Sequence, residues 1–299
     1  MKIIDIDIKE LNIVENNNIN LVLGFFDGVH IGHQEMIKKA VESGDTAVMT
    51  FDISPSFILG KTIKYSYITS LFDKANELQN LGVKYLYILR MSKLLLDLTK
   101  EEFIEKVLKK INPKRIYIGE DYHFGKGGEG SANDLEKEFN VYVSNLVEHN
   151  GEKVSSRLIR EHIAQGDMKL VETELNRPYQ VTGLVIEGAH NGEKLGFPTA
   201  NLELTYPYVL PKIGVYTGYV KLLSSKYKAI ISMSTHPTIM ELNDPIIEVH
   251  LLSYKGDLYG KEIEVQFKEY IRDIKKFGTL EELSEQLTKD SEYAKNTLK

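Results

Sequence analysis

Cysteine is missing from all 299 residues, which excludes a disulfide framework, a thiolate metal site and a cysteine nucleophile. Also missing is an uninterrupted apolar run long enough to cross a bilayer, so no membrane partner is expected. Positive charge is in deficit, with 37 Lys and Arg against 43 Asp and Glu and a net charge of -6. Proteins that grip a phosphate backbone carry a clustered basic excess, so no nucleic-acid partner is expected and an anionic ligand must be held by local groups. The opening MKIIDIDIKE mixes acids into its apolar positions and lacks the basic, apolar and small-residue regions of a signal peptide, which predicts a cytoplasmic protein. Internal repeats and low-complexity segments are absent as well. The polar ENNNIN at 15–20 reads as a turn before the first core strand.

What is present predicts two domains. The length is too great for one average domain and short for three, and 42% hydrophobic content with 17 tyrosines excludes long disorder. From Ile19 to about Leu146, short apolar runs (LVLGFF, TAVMTF, VKYLYIL, RIYIG, VYVSNL) alternate with helical stretches, the pattern of βαβ units on a parallel sheet. Leu71, Phe72, Ala75, Leu78 and Leu81 keep a helical period that stops at Gly82, and Thr99 with Glu102 forms a capping box. After Pro178 the runs QVTGLVIEG, VYTGYVKLL, KAIISMS, IIEVHLLS and EIEVQFKEYI, split by Gly, Pro, Asn and Asp, predict antiparallel strands in a barrel or sandwich. A final helix is capped by Thr279 and Glu282, with Leu280, Leu283 and Leu287 on a face expected to pack on the strands. The expected boundary gives domains 1–177 and 178–299.

The sharpest chemical signal is GFFDGVHIGHQEMI, in which a strand ends at Gly24, a tight Gly-containing loop carries His30 and His33, and an apolar-periodic helix follows. A strand-to-helix loop presents backbone N–H groups and a positive helix end to phosphate, and histidines three apart face the same way. Imidazole donors there suit developing charge on a transferred phosphate, without a covalent nucleophile. Two ordinary loop histidines are the plain alternative; a metal site ranks below both, because no partner has recognisable ligand spacing. Further on, residues 121–130 form a Gly-rich loop after a strand, and Ser155, Ser156 and Arg160 open a helix that suits a second phosphate clamp or, read alone, a capped surface helix.

GFFDGVHIGHQ resembles the GNFDGVHxGH segment of bacterial FAD synthetases, which are HxGH nucleotidyltransferases. TFDISP (50–55), IGEDYHFGKGGEGS (118–131) and VSSRLIR (154–160) resemble that family's TF-x-P, DFxFG and ISSTxIR segments in the same order. In the second half GAHNGEKLGFPTANLEL resembles GxxLGFPTANL of riboflavin kinases, and RPYQVTGLVIEG, LPKIGVYTG, HPTI, EVHLLSYKGDLYG and RDIKKFGTLEEL follow in that family's order. The resemblance spans nearly the whole chain. It implies a Rossmann-like nucleotidyltransferase domain (α/β) followed by an antiparallel β-barrel kinase domain with a C-terminal helix. The implied chemistry is conversion of riboflavin and ATP to FMN and of FMN and ATP to FAD, with Mg²⁺ as cofactor.

The resemblance also assigns residues. His30 and His33 act on the α-phosphate; Gly24, Phe26, Asp27, Gly28, Gly119, Asp121, Phe124, Gly125, Ser155, Ser156 and Arg160 bind nucleotide or phosphate. In the barrel, Gly192, Lys194, Gly196 and Pro198 bind nucleotide, Thr199 and Asn201 hold Mg-ATP, and Glu248 is the base toward the ribityl 5′-hydroxyl. Taken alone, PTAN reads as a capped turn and Glu248 as a solvated strand residue. The chain departs from the family at Gly128 and Ser131, where Arg and Asp are common, at Ser54 for His, at Arg157 for a displaced arginine, and at Glu193 and Ser253. Two rivals stay open: a monofunctional enzyme, either an FAD synthetase with an idle barrel or a kinase with a decayed first half, the second favoured by Gly128, Ser131 and Arg157; and a flavin-binding regulator without turnover, which intact His30, His33, Thr199, Asn201 and Glu248 argue against. The sequence implies nothing about oligomeric state.

Overall fold

The computed structural model describes residues 1–10, 18–60, 67–187, 197–235 and 245–299. It divides into two compact units, Met1–Lys64 with Thr69–Ser156, and Tyr65–Ile68 with Arg157–Lys299. In this division the helices from residue 157 onward group with the barrel, whereas the change of pattern along the sequence places the boundary at 177.

In the first unit the chain runs β1 (Lys2–Ile6), β2 (Asn20–Leu23), α1 (Ile31–Glu42), β3 (Thr46–Phe51), α2 (Pro55–Ile58), α3 (Leu71–Asn80) and β4 (Tyr85–Leu89). It continues through α4 (Lys93–Leu96), α5 (Lys100–Phe103), a π-helical stretch Ile104–Leu108, α6 (Lys109–Ile111), β5 (Arg115–Gly119), α7 (Ala132–Glu136) and β6 (Val141–Ser144), and ends in the small hairpin β7 (Glu148–His149) and β8 (Glu152–Lys153). Six strands pair in parallel in the order β1-β4-β3-β2-β5-β6. The order reverses at β2, whose neighbours are β3 and β5, and ligands of open α/β sheets bind beyond the carboxyl ends of strands at such a point.

Side chains alternate across the sheet: Leu21 and Leu23 pack with Phe103, Val107 and Ile111, while Val22 packs with Ile37, Ala40, Ala75 and Leu78 from α1 and α3. The capping box at Thr99 and Glu102 is present. Strand β1 was not predicted from the sequence: it is an edge strand pairing only with β4, its Ile3 is 53% exposed, and its interleaved acids hide the alternation. Phe72 corrects the predicted stripe of α3, being 74% exposed. The helix is capped by Ser70, whose hydroxyl accepts the Asp73 N–H at 3.0 Å, and its buried face carries Asp73, Lys74, Ala75 and Leu78. Of ENNNIN, Asn20 opens β2 and residues 15–17 lie outside the described residues.

The second unit contains α8 (Ser156–Gln165), α9 (Met168–Leu175), and a closed antiparallel barrel in the order β10-β13-β12-β11-β14-β9. Its strands are β9 (Tyr179–Ile186), β10 (Ala200–Leu204), β11 (Gly214–Leu222), β12 (Ser225–Thr235), β13 (Pro245–Leu251) and β14 (Glu262–Arg272). Closure leaves no sheet edge to pair with another chain. Period-two alternation buries Val181 and Val185 of β9, Ile247 and Val249 of β13, and Ile263, Val265 and Phe267 of β14.

The last helix, α10 (Leu280–Thr297), is capped as expected, Thr279 accepting the Glu282 N–H at 3.2 Å. Its packing differs from the predicted leucine face. Leu280 is 60% exposed, while Ala294 and Leu298 pack on Val215, Ile230 and Leu252, and Asp290 receives the Arg272 guanidinium at 2.6 Å. A small residue at 294 lets the helix approach the barrel, and an ion pair that is almost fully buried fixes its rotation.

Candidate active sites

The first site is built at the carboxyl ends of β2 and β5. After β2 the backbone turns through residues 24–30 with Phe26, Gly28 and Val29 at φ of 56°, 82° and 43°; two of these are side-chain-bearing residues in the left-handed region. Such strain costs on the order of 1–3 kcal/mol per residue and persists only where the surroundings over-determine it. Here they do. The Asp27 carboxylate accepts the Thr69 N–H at 3.2 Å, the Thr69 hydroxyl accepts the Gly28 N–H at 3.1 Å, and the Ser156 hydroxyl donates to the Asp27 carbonyl at 2.8 Å. Gln34 donates to the Val29 carbonyl at 2.9 Å. Gly24 is required by close approach, because a Cβ there would lie 2.7 Å from the buried Phe26 ring.

His30 is the N-cap of α1, its Nδ1 accepting the His33 N–H at 3.4 Å, and is 7% exposed. The two imidazoles stack, with centroids 3.6 Å apart and planes 21° from parallel, and the Phe26 ring meets His33 edge-on at 5.1 Å. Gly32 makes room for this stack: a Cβ there would sit 3.3 Å from His30 Nδ1. Burial, the neighbouring His30 and the Lys74 ammonium together hold the His33 pKa well below the ordinary histidine value, so His33 is neutral at physiological pH. Its Nδ1 is buried with no hydrogen-bond partner among the described residues.

Two adjoining cavities open over this turn. The larger, about 510 Å³, is lined by Gly24, Phe25, Phe26 and His33 with Gly119, Asp121, Phe124, Gly125 and Gly128 from the loop after β5. The smaller, about 180 Å³, is lined by His30, His33, Gly119 and Asp121 with Lys153, Ser155 and Ser156. The segments GFFDGVHIGH, IGEDYHFG and VSS thus converge, although some ninety to a hundred and thirty positions separate the first from the others. Arg160 stands one turn beyond Ser156 on α8.

The departures have visible local roles. Ser131 caps α7 in a reciprocal box with Asp134, Ser54 is the N-cap of α2, and Arg157 pairs with Glu161 at 3.0 Å with its side chain 81% exposed. Phe124 belongs to the core as well as to the cavity wall, 5.7 Å from Phe103. Sequence reading missed Thr69, Lys153 and Lys74. Lys153 pairs with Asp121 at 2.6 Å. Lys74 is 3% exposed on the apolar stripe of α3, a lysine where the helical period calls for a hydrophobe, and that was the available signal.

The second site lies on the barrel. A cavity of about 720 Å³ is lined by Phe197, Pro198 and Thr199, by His250 and the loop 251–259, and by Ser291 and Lys295 of α10. Antiparallel register sets Asn201 opposite Glu248, and Glu248 opposite Ser232 on β12, so these three share one face of the sheet. His250 Nδ1 is 2.8 Å from the Pro198 carbonyl, tying β13 to the PTAN segment. Burial lowers the His250 pKa, and the nearby Lys295 ammonium adds to the effect. Ser253, another departure, takes φ of 66° at the cavity wall. Gly192, Glu193, Lys194, Gly196 and HPTI lie outside the described residues. The contribution of α10 to this cavity carries no motif and was missed.

Family models match both halves, FAD synthetase over residues 12–158 and riboflavin kinase over residues 175–298. The bifunctional riboflavin kinase/FMN adenylyltransferase of Listeria monocytogenes is 34% identical over 282 residues, covering 91% of this chain and 90% of that protein. Its counterpart in Bacillus subtilis is 34% identical over 286 residues, covering 92% and 90%. A crystal structure from Streptococcus pneumoniae described as a macrolide-efflux protein is 32% identical, with a TM-score of 0.92 over 99% of both chains. Among the described residues of this chain no helix is long and apolar enough to cross a membrane.

Proposed function

Since this chain belongs to the bifunctional riboflavin kinase/FMN adenylyltransferase family and makes FAD by phosphorylating riboflavin and then adenylylating FMN, we propose an assignment of its residues to the two reactions. For adenylyl transfer the supporting observation is the stack of the buried His30 on the half-buried His33 at the N-terminus of α1, above the point where the strand order reverses. An FMN phosphate oxygen attacks the α-phosphorus of ATP, and the bond to pyrophosphate breaks. A neutral imidazole carries its proton on the nitrogen that has an acceptor; with Nδ1 of His33 unpaired, Nε2 is the donor offered to the phosphate oxygens. His30 and the positive end of α1 add to that field, in a site already organised before charge develops. Ser155, Ser156 and Arg160 take the outer phosphates, and the loop from Gly119 to Gly125 borders the nucleotide or flavin.

On the barrel, Glu248 accepts the proton of the ribityl 5′-hydroxyl while that oxygen attacks the γ-phosphorus of ATP and ADP leaves. Pro198 and the glycine-rich segment before it bind the nucleotide. Thr199 and Asn201 stand two apart, with Asn201 in register with Glu248, and their hydroxyl and amide oxygens suit a hard cation. They would hold Mg²⁺ together with nucleotide oxygens, and the ion would supply neutralisation of phosphate charge. The two reactions belong to the cytoplasm in this reading.

Chromatography of products tests the assignment of both halves in one chain. Riboflavin with ATP and Mg²⁺ should yield FMN and then FAD, and FMN with ATP and Mg²⁺ should yield FAD. FMN that never becomes FAD would mean that Gly128, Ser131 and Arg157 have cost the first site its activity.

A further inference from the structure

Lysine almost always keeps its ammonium in water, yet Lys74 is 3% exposed. Its Nζ donates to the Phe25 carbonyl at 2.6 Å and to the Thr50 hydroxyl at 3.3 Å, and lies 4.2 Å from the centre of the Phe25 ring. Thr50 in turn donates to the same carbonyl at 2.8 Å. One peptide group, between Phe25 and the strained Phe26, is therefore gripped from β3 and from α3. In a trans peptide the carbonyl and the following N–H point in opposite directions, so pulling the Phe25 oxygen toward α3 turns the Phe26 N–H away from it. Phe25 and Phe26 both line the larger cavity.

Resting on the adenylyl-transfer reading above, we propose that Lys74 is a positioning residue for that reaction: it locks the Phe25–Phe26 peptide of the phosphate-binding turn and sets a fixed positive charge behind the His30–His33 pair. The charge is uncommon in its balance. Burial lowers the Lys74 pKa to about 8, against an upward pull from Asp27. The ammonium in turn helps keep His33 neutral. The titratable groups facing it are Asp27 on the turn and His33, with His30 beyond it, on α1; Asp73 on its own helix bonds Ser70 instead.

The test uses the full chain with Lys74→Met and Lys74→Arg, measuring FAD formation from FMN and ATP between pH 6 and 9.5, with riboflavin phosphorylation by the same preparations and thermal unfolding as controls. Lys74→Met should lower kcat for adenylyl transfer roughly tenfold to a hundredfold with a smaller change in KM, as expected when reacting groups are misplaced by a fraction of an ångström to one ångström. Thr50 still holds the Phe25 carbonyl in this variant, so unfolding and kinase activity should match the wild type. In the wild type, adenylyl transfer should fall as pH rises through about 8. In Lys74→Arg, whose guanidinium does not titrate there, that alkaline limb should vanish and activity at pH 7 should stay within about tenfold. An unchanged kcat in Lys74→Met, an unchanged alkaline limb in Lys74→Arg, or equal loss of both activities overturns the assignment. A wild-type chain that makes no FAD from FMN instead overturns the reading on which it rests.

Discussion

His30 Nδ1 accepts the backbone N–H of His33 while the two rings stack at 3.6 Å, so one imidazole both caps α1 and packs against its neighbour at the cavity wall. Structure and chemistry are joined in that residue and separable by substitution. His30→Ala should lose about 1 kcal/mol of stability through the lost cap, and His30→Asn should regain most of it, since Asn is a good N-cap. Both should lower adenylyl transfer by about a hundredfold or more, because neither restores the imidazole. Thermal unfolding beside FAD formation from FMN separates the two effects. Full activity in His30→Asn would show that capping is the only role of His30.

The depressed pKa of His33 sets the acid side of the pH profile. Depression means that the neutral form persists below the ordinary histidine value, and activity carried by that form is lost only as pH falls through the lowered value. FAD formation from FMN should therefore stay level from pH 7 down past 6.5. An acid limb centred near 6.5, absent from His33→Asn, would contradict a buried neutral His33.

Glu248→Gln should lower riboflavin phosphorylation by about a hundredfold to ten-thousandfold while leaving FMN adenylylation intact, since it removes the proton acceptor and keeps the shape. Measuring both products in one chain checks this. A similar KM for riboflavin with reduced kcat is the expected split, and a raised KM alone would make Glu248 a binding residue.

Ser291 on α10 is 6% exposed, its hydroxyl has no hydrogen-bond partner among the described residues, and it lines the barrel cavity. An unpaired buried hydroxyl costs stability unless something arrives to meet it. Ser291→Ala should thus unfold no earlier than the wild type and show a several-fold higher KM for ATP or riboflavin. Unchanged kinetics for both substrates would remove α10 from the kinase site.

The features readable in the chain are those that physical chemistry writes locally. The continuous apolar runs TAVMTF and RIYIG gave central strands, Thr99 with Glu102 gave a helix start, and GFFDGVHIGH gave a strand-to-helix turn, because run, cap and turn all depend on neighbours within a few positions. Strand β1 escaped because an edge strand buries too little to show a clear period. The leucine face of α10 was misleading for the opposite reason. Apolar residues there had the right spacing, but the helix docks through Ala294, Leu298 and the Asp290–Arg272 pair, a choice made by the barrel surface rather than by the helix.

Sequence by itself determined the two-part architecture, the family and the identity of the motif residues, all of which follow from patterns along the chain. Tertiary structure alone decided which distant groups meet. It brought Ser156 to the Asp27 carbonyl, Thr69 to Gly28, Ser291 to the barrel cavity and Lys74 to Phe25. Those meetings carry no local signature, since each depends on where a helix lands after the core has closed, and a buried amine reveals its role only through the carbonyl it finds there.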